Sequence, residues 1–478
     1  GANTFSITVQ DLEPGTGVSI APSLSQVSPS PGQSTTVAMT LTATGSAVVG
    51  DHTGYVVITD QSSQVLRIPY WVKIQQAPTI QFNSTIFSAS EGPPPNGSTA
   101  RVAQIVVTRQ GDLSGTATVD FATSDGTASQ RTRYITALGT LTFTAGQTTR
   151  TFNVILIDDG YVQDTQTVNL TLSNAIGANL SAPSQATLFI DDDEEGPAST
   201  NPLDDPAYFV RQHYFDFLNR TPDTSGFNFW ISQITGPPPC GTPQCLTQRR
   251  ITVSNAFFFE LEFQQTGAYV FRLYRAAFGN NQPFPNPRPD PNYPNEEKKL
   301  PSYQVFSRDR AKVVGGSNLA QKQLDLANVF VARPEFITKY PSSLNTAALY
   351  VDALLANIQS DLGVNLSSQR DALITLYNSG GRGAVLYRLA DDNAQNPINN
   401  RPLIDSEYNR AFVATQYFGY LRRNPDIAGI IFWLGQVNSA PLRDLGKQNA
   451  MVCSFITSAE YQLRFSPVAP HSNTECPQ

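Results

Sequence analysis

The sequence predicts a multidomain chain in which an all-β region is followed by an all-α, repeat-containing domain. Three observations carry this. From the first residues to about 195, apolar and polar residues alternate in short runs broken by turn residues, the period of strands with one buried face. From Ala207 onward apolar residues recur every three or four positions, the period of amphipathic helices. A 22-residue segment also occurs twice, 203 residues apart and without a gap: FVRQHYFDFLNRTPDTSGFNFW at 209–230 and FVATQYFGYLRRNPDIAGIIFW at 412–433 share eleven positions. Such a match means that one structural unit is used twice. At 478 residues the chain is too long for a single ordinary core.

Composition bounds the function. Only 15% of residues are charged and the formal net charge is −7, which argues against nucleic acid or an anionic membrane as partner. No apolar run is long enough for a membrane span. The chain begins with Gly1 and shows no signal peptide, as expected of a mature or processed product. Four cysteines are present. Their spacing and three scattered histidines do not supply a tetrahedral metal site. We expect two disulfides, Cys240 with Cys245 as a loop staple and Cys453 with Cys476 pinning the tail. Both imply an oxidising, extracytoplasmic location.

The first β unit, residues 1–76, contains the strands TFSITVQ, TTVAMTLTA, GYVVITD and VLRIPYWVKI, with turns at PSPGQS and GDHTG. The run PGQSTTVAMTLTA, the strand TGYVVIT and the strand LRIPYWVKI resemble the fibronectin-type-III-like domain at the C-terminus of subtilisin-like proteases. That resemblance implies a sandwich whose first strand would precede Thr4 and is missing here. An unpaired sheet edge is a template for strand addition by another chain.

The second β unit, residues 77–195, carries in order the TRQGD turn, VDFATSDGTA, LTFTAGQ and a terminal IDDD. This pattern resembles the Calx-beta domain and implies an immunoglobulin-like β-sandwich, so the β region is expected to hold two such sandwiches. The resemblance also implies a calcium site gathering Glu91, Asp125, Asp159, Asp191, Asp192 and Asp193 at one end, because calcium takes hard oxygen ligands. Three positions that are acidic in calcium-binding members are Arg133, Gln163 and Gln166 here, which reduces the negative charge available. The alternative is a solvated acidic loop.

After a polar, Pro-rich linker at 196–206, the helical domain runs from 207 to 478. Each repeated unit, at about 207–265 and 408–465, reads as helix, tight turn, helix. Pro222 and Pro425 stop the first helix, and Asp223 and Asp426 cap the second. Gly226 and Gly429 permit close approach, Trp230 and Trp433 add buried area, and Arg220 and Arg423 pair with a carboxylate such as Glu262 or Glu460. A degenerate middle unit is marked by Glu335 in VARPEF. The motif FV-x3-Y-x3-L-x-R-x-PD-x2-G-x2-FW resembles the domain-of-unknown-function 4214 family of secreted and surface bacterial proteins, which implies an extracellular address but no reaction.

His52, His213 and His471 are scattered, and no nucleophile, Walker or zinc-protease pattern occurs in a supporting context. The chain therefore reads as a non-enzymatic structural or adhesive protein of a bacterial surface, with strand addition building a filament or surface layer. Self-association or a cell-surface or matrix component is the expected partner. The alternatives are the accessory region of a secreted subtilisin-like protease and a calcium-dependent carbohydrate or surface binder. No cofactor is required, and calcium is the one candidate.

Overall fold

The computed structural model describes residues 3–94 and 98–476. The first β unit comprises β1 (Phe5–Asp11), β2 (Val18–Pro22), β3 (Gln26–Val27), β4 (Met39–Ala43), β5 (Gly50–Thr59) and β6 (Val65–Ile74). They form a four-stranded sheet, β3-β1-β5-β6, and a two-stranded ribbon, β2-β4. Pairing sets Ile7 opposite Ile58 and Ile58 opposite Leu66, so these residues share one face. Yet among its large apolar side chains in the described residues only Ile7 and Val18 are buried, and Leu66 remains 58% exposed. A two-stranded ribbon is too narrow to cover a four-stranded sheet. The sandwich expected for residues 1–76 is therefore incomplete, with β4 and β6 each paired on one side only.

The second unit comprises β7 (Thr79–Phe82), β8 (Ile86–Ser90), β9 (Val102–Gln110), β10 (Ala117–Asp125), β11 (Leu138–Phe143), β12 (Thr149–Ile155), β13 (Gln166–Ile176), β14 (Asn179–Leu180) and β15 (Gln185–Asp191). Sheet β11-β10-β13-β15-β8 packs on sheet β12-β9-β7-β14. Alternate residues such as Ile105, Val107, Val119, Leu170 and Leu188 close a continuous core. This is an immunoglobulin-like sandwich. The parallel β15–β8 register sets Asp191 beside Ser90, which brings Glu91 against the acidic run after β15.

Within the polar, Pro-rich linker at 196–206, residues 201–206 form successive capped turns. Asn201 and Asp205 cap successive turns through their side chains, and the Asn201 amide also donates to Gln462 and Val468 carbonyls at 3.0 and 2.6 Å. Two caps in five residues hold this stretch in one conformation.

The first repeat contains α1 (Pro206–His213), α2 (Thr224–Thr235), α3 (Pro243–Phe259) and α4 (Leu261–Gln265). The middle of the domain holds α5 (Gly267–Phe278), α6 (Tyr303–Arg310), α7 (Leu319–Val331), α8 (Pro334–Lys339), α9 (Ala347–Leu362) and α10 (Arg370–Ala390). The second repeat contains α11 (Arg401–Gln416), α12 (Ile427–Asn438), α13 (Leu445–Ile456) and α14 (Ala459–Gln462). Helix α5 is buried along its whole length. Among the described residues no helix is long and apolar enough to cross a membrane.

Both repeats depart from a plain helix at the same place. α1 and α11 run into π turns, Tyr214–Leu218 and Tyr417–Leu421, which end at left-handed residues Asn219 and Arg422. The helix therefore stops before Pro222 and Pro425. Asp223 and Asp426 then cap α2 and α12 by accepting from Gly226 and Gly429 N–H at 2.8 and 2.7 Å. Arg220 clasps Glu262, and Arg423 clasps Glu460, through two-pronged contacts of 2.6–2.8 Å. Trp230 and Trp433 are only partly buried, and the preceding Phe229 and Phe432 are 53% and 56% exposed. The two tryptophans pack against the helical core, while these two phenylalanines face outward because α2 and α12 lie at the periphery.

The repeats meet through equivalent positions. Phe217 and Tyr420 stack edge to face with centroids 4.9 Å apart, which places a pseudo-twofold axis between them. The copies diverge here: Asp216 corresponds to Gly419, and Asn219 to Arg422. A Cβ on Gly419 would sit 2.8 Å from the Phe217 ring. Arg422 Nε reaches Asp216 Oδ1 at 3.2 Å, and Arg464 Nη2 reaches it at 3.2 Å. In the middle unit Phe336 is fully buried, but among the described residues Glu335 makes no ion pair. The two disulfides, Cys240–Cys245 and Cys453–Cys476, are formed.

A Cβ on Gly226 or Gly429 would collide with the hydroxyl of Tyr214 or Tyr417. Gly226→Ala should therefore destabilise the domain by about 1–3 kcal/mol in chemical denaturation. Adding Tyr214→Phe should recover part of that loss, because the hydroxyl is the atom struck. Unchanged stability of Gly226→Ala would mean that the packing is looser than described.

Candidate metal centre at the sandwich end

The connections at one end of the second sandwich concentrate carboxylates. Glu91 follows β8, Asp158 and Asp159 follow β12, and Asp192, Asp193 and Glu194 follow β15. The Glu91 N–H donates to the Asp191 carbonyl at 3.1 Å, which fixes Glu91 against this run. Gly92 completes the approach: a Cβ there would lie 2.5 Å from Asp193 Oδ2.

Arg133 fills part of the cluster. Its guanidinium lies 2.7 Å from Asp159 and 2.5 Å from Glu91, with Asp192 at 3.7 Å, and it is almost completely buried. Burial opposes its charge, but Asp159 and Glu91 outweigh that and hold its pKa above the ordinary value. Asp159 also accepts from the Tyr161 N–H at 2.9 Å and the Gln163 amide at 3.2 Å, and the Gln163 N–H donates to Asp192 at 3.0 Å. Gln166 in turn donates to Gln163. Arg133 and Gln163 thus serve Asp159 and Asp192 directly, and Gln166 acts through Gln163.

The remaining oxygens are less well served. Glu91, Asp192 and Glu194 each bring a carboxylate oxygen within 4.8 Å of the others, and Asp158, Asp193 and Glu194 form a second such group. Glu91 Oε2, Asp192 Oδ1 and Glu194 Oε2 are buried without a hydrogen-bond partner. Burial pushes the Glu91 carboxyl up to about 10 against the opposing pull of Arg133. Burial, then repulsion from Asp193, pushes Asp158 and Glu194 up to about 7. Crowded, desolvated carboxylates with orphaned oxygens fit a hard divalent cation, which supplies the missing charge.

Two of the residues expected in this site lie elsewhere. Asp125 accepts from the Tyr134 hydroxyl at 2.6 Å and the Gln130 N–H at 2.9 Å, so it braces the 129–134 loop. Asp191 accepts from the Thr165 hydroxyl at 2.9 Å and is exposed. Asp158 and Glu194 were missed, although they adjoin Asp159 and Asp193. The signal was present in the acidic pairs themselves, but strand-end geometry decides which member turns inward.

The 129–134 loop joins this end to the helical domain. Arg422 donates to the carbonyls of Gln130 and Tyr134 at 2.6 and 3.3 Å, and Arg464 to that of Arg131 at 3.1 Å. Arg131 reaches Glu460 at 2.7 Å, and the Tyr208 hydroxyl donates to the Asp158 carbonyl at 2.5 Å. Ala100, Ile135 and Ile157 of the sandwich belong to the helical core. The histidines lie outside the cluster. His213 is enclosed between the Phe209 carbonyl and Ser254, and burial lowers its pKa to about 4. His471 bridges Asp204 and Glu475, and His52 contacts the Val48 carbonyl.

The family model described as Calx-beta domain matches residues 73–194. The sodium/calcium exchanger Calx of Drosophila melanogaster is 36% identical over 95 residues, covering 20% of this chain and 10% of that protein. Sodium/calcium exchanger 1 of Canis lupus familiaris is 34% identical over 129 residues, covering 23% of this chain and 13% of that protein. The chain thus spans only 10–13% of the length of these curated relatives. Among solved structures, the apo-form Calx CBD1 domain aligns with 25% of this chain and 100% of its own length, at 29% identity and TM-score 0.23. CBD12 from CALX1.2 aligns with 24% of this chain and 45% of its own, at 30% identity and TM-score 0.22. Residues 73–194 of the chain therefore carry a Calx-beta domain.

Proposed function

We propose that the chain is a calcium-dependent binding module of an extracytoplasmic bacterial protein, with no catalytic role of its own. The buried, unpartnered oxygens of Glu91, Asp192 and Glu194 carry this reading. These residues would hold one cation, and Asp158 and Asp193, sharing Glu194, would hold or extend a second position. A bound cation would supply positive charge that relieves the repulsion among them. Arg133 already neutralises the Asp159 side, so this site is smaller than one built of carboxylates alone. The curated relatives of the domain are named as sodium/calcium exchangers, which supports calcium as the ion. The two disulfides support an oxidising compartment, and the resemblance of the helical repeats to secreted bacterial domains supports a surface location.

Calcium titration calorimetry on the full chain tests this. In the cation-free protein Glu91 holds a proton up to about pH 10, and Asp158 and Glu194 below about pH 7, so calcium must displace these protons. Binding should therefore be saturable near about pH 7.5 with release of protons, tighten as pH rises toward 10, and weaken further as pH falls through about 7. Glu194→Gln should weaken it by about tenfold or more. No saturable binding into the millimolar range would sink the reading.

A second observation favours assembly by strand addition. Among the described residues the β4 and β6 edges are unpaired, and Leu41, Leu66 and Ile68 stand 46–58% exposed beside them. A partner strand with alternating apolar residues would pair with β4 and cover that face. Sedimentation should then show concentration-dependent association that Leu41→Lys with Leu66→Lys removes. Monomers at every concentration would end this proposal.

A further inference from the structure

One concavity lies in the helical domain, away from the sandwich. It is a cleft of about 750 Å³ between the α3–α4 junction, the 391–401 segment and α11, within the usual size of small-ligand sites. Phe259, Leu261 and Ile398 give it an apolar floor, and Leu261 is largely exposed. Its rim is rich in amides. Asn393 and Asn399 use their side-chain oxygens to cap backbone N–H groups at 2.9 and 3.3 Å. Their NH2 groups make no hydrogen bond among the described residues, so both donors are free.

The segment that carries these amides is fixed. Asn396 donates to the carbonyls of Arg388 and Asp391 at 2.7 and 3.1 Å. Asn400 donates to those of Arg388, Leu389 and Asp391 at 2.7–3.0 Å, and Arg272 holds the Ala390 carbonyl at 2.9 Å. A site held this way loses little entropy on binding.

The charges in the wall are paired among themselves. Arg401 contacts Asp392 at 2.9 Å and Asp405 at 3.0 Å, and Arg443 contacts Asp405 at 2.7 Å. Arg443 holds a left-handed backbone conformation (φ 66°) while its guanidinium stacks 4.5 Å over the Tyr408 ring. Paired charges disfavour a charged ligand. An apolar floor beneath a ring of planar donors and acceptors matches a pyranose, which has an apolar C–H face and hydroxyls around its edge.

We propose that this cleft binds a neutral oligosaccharide, with Leu261 and Phe259 under a sugar face and Asn393 and Asn399 donating to its hydroxyls. This rests on the reading of the chain as a binding module and gives it a second site, whose ligand is taken independently of calcium. The test is calorimetric titration of the full chain with cellotetraose, mannotetraose and chitotetraose, and with tetragalacturonate as the acidic control. At least one neutral tetrasaccharide should bind saturably, and tetragalacturonate should not. Ala394→Trp, which fills the cleft from an exposed position, and Asn393→Ala, which removes a donor, should each weaken that binding by about tenfold. Asn393→Ala keeps the test open if the larger substitution impairs folding. Glu194→Gln should leave sugar binding in place, so a failed calcium titration with intact sugar binding removes only the metal reading. Absence of neutral-sugar binding, binding unaffected by both cleft variants, or preference for tetragalacturonate would overturn the proposal.

Discussion

The buried carboxylate of Asp216 ties the two helical repeats together, and the arginines that bind it also reach the second sandwich. It accepts from Gln212 within its own repeat at 2.8 Å, from Tyr461 at 3.1 Å, and from Arg422 and Arg464 at the other repeat. The same two arginines donate onward to the backbone of the 129–134 loop of the sandwich. Removing one member of such a buried set costs about 3–5 kcal/mol, because charges are left in the interior without partners. The arrangement fixes geometry more than it adds stability, since an apolar replacement of the whole set could pack equally well. It explains why the duplicated units diverge where they touch. One copy needs an anion at the axis and the other needs space, so Asp216 faces Gly419, and the left-handed residue of the second copy becomes an arginine.

This junction sets the context of the metal centre. The loop held by Arg422 and Arg464 also carries Arg133 into the carboxylate cluster, and Asp125 braces it from the sandwich side. Charge at the sandwich end and packing between the repeats therefore meet in one short segment. The contrast with the first β unit is sharp. There, nothing comparable closes the fold, apolar side chains stay exposed, and both edges remain open.

Much of this was legible in the sequence. The switch of hydrophobic period near residue 200 marks the boundary between sheets and helices, and the duplicated segment marks the repeats. Asp223 and Asp426 stand before glycines at capping distance, and the cysteine spacing favours the pairs that form. The shortfalls have physical causes. π turns have no distinct hydrophobic period, so Tyr214–Leu218 reads as ordinary helix. Exposure of Phe229 and Phe432 depends on α2 and α12 lying at the rim, which local pattern cannot express. In the acidic cluster, Asp158 and Asp159 differ only in the direction each takes at the end of a strand. The 391–401 cleft is built by residues from three distant segments, and composition alone shows only an Asn-rich loop.

Hydrogen–deuterium exchange of Asp216→Asn against the unaltered chain tests the coupling most directly. If Asp216 anchors the sandwich loop to the repeats, exchange should quicken at residues 129–134 as well as at 417–422. A change confined to the helical residues, with the 129–134 loop exchanging as before, would contradict it.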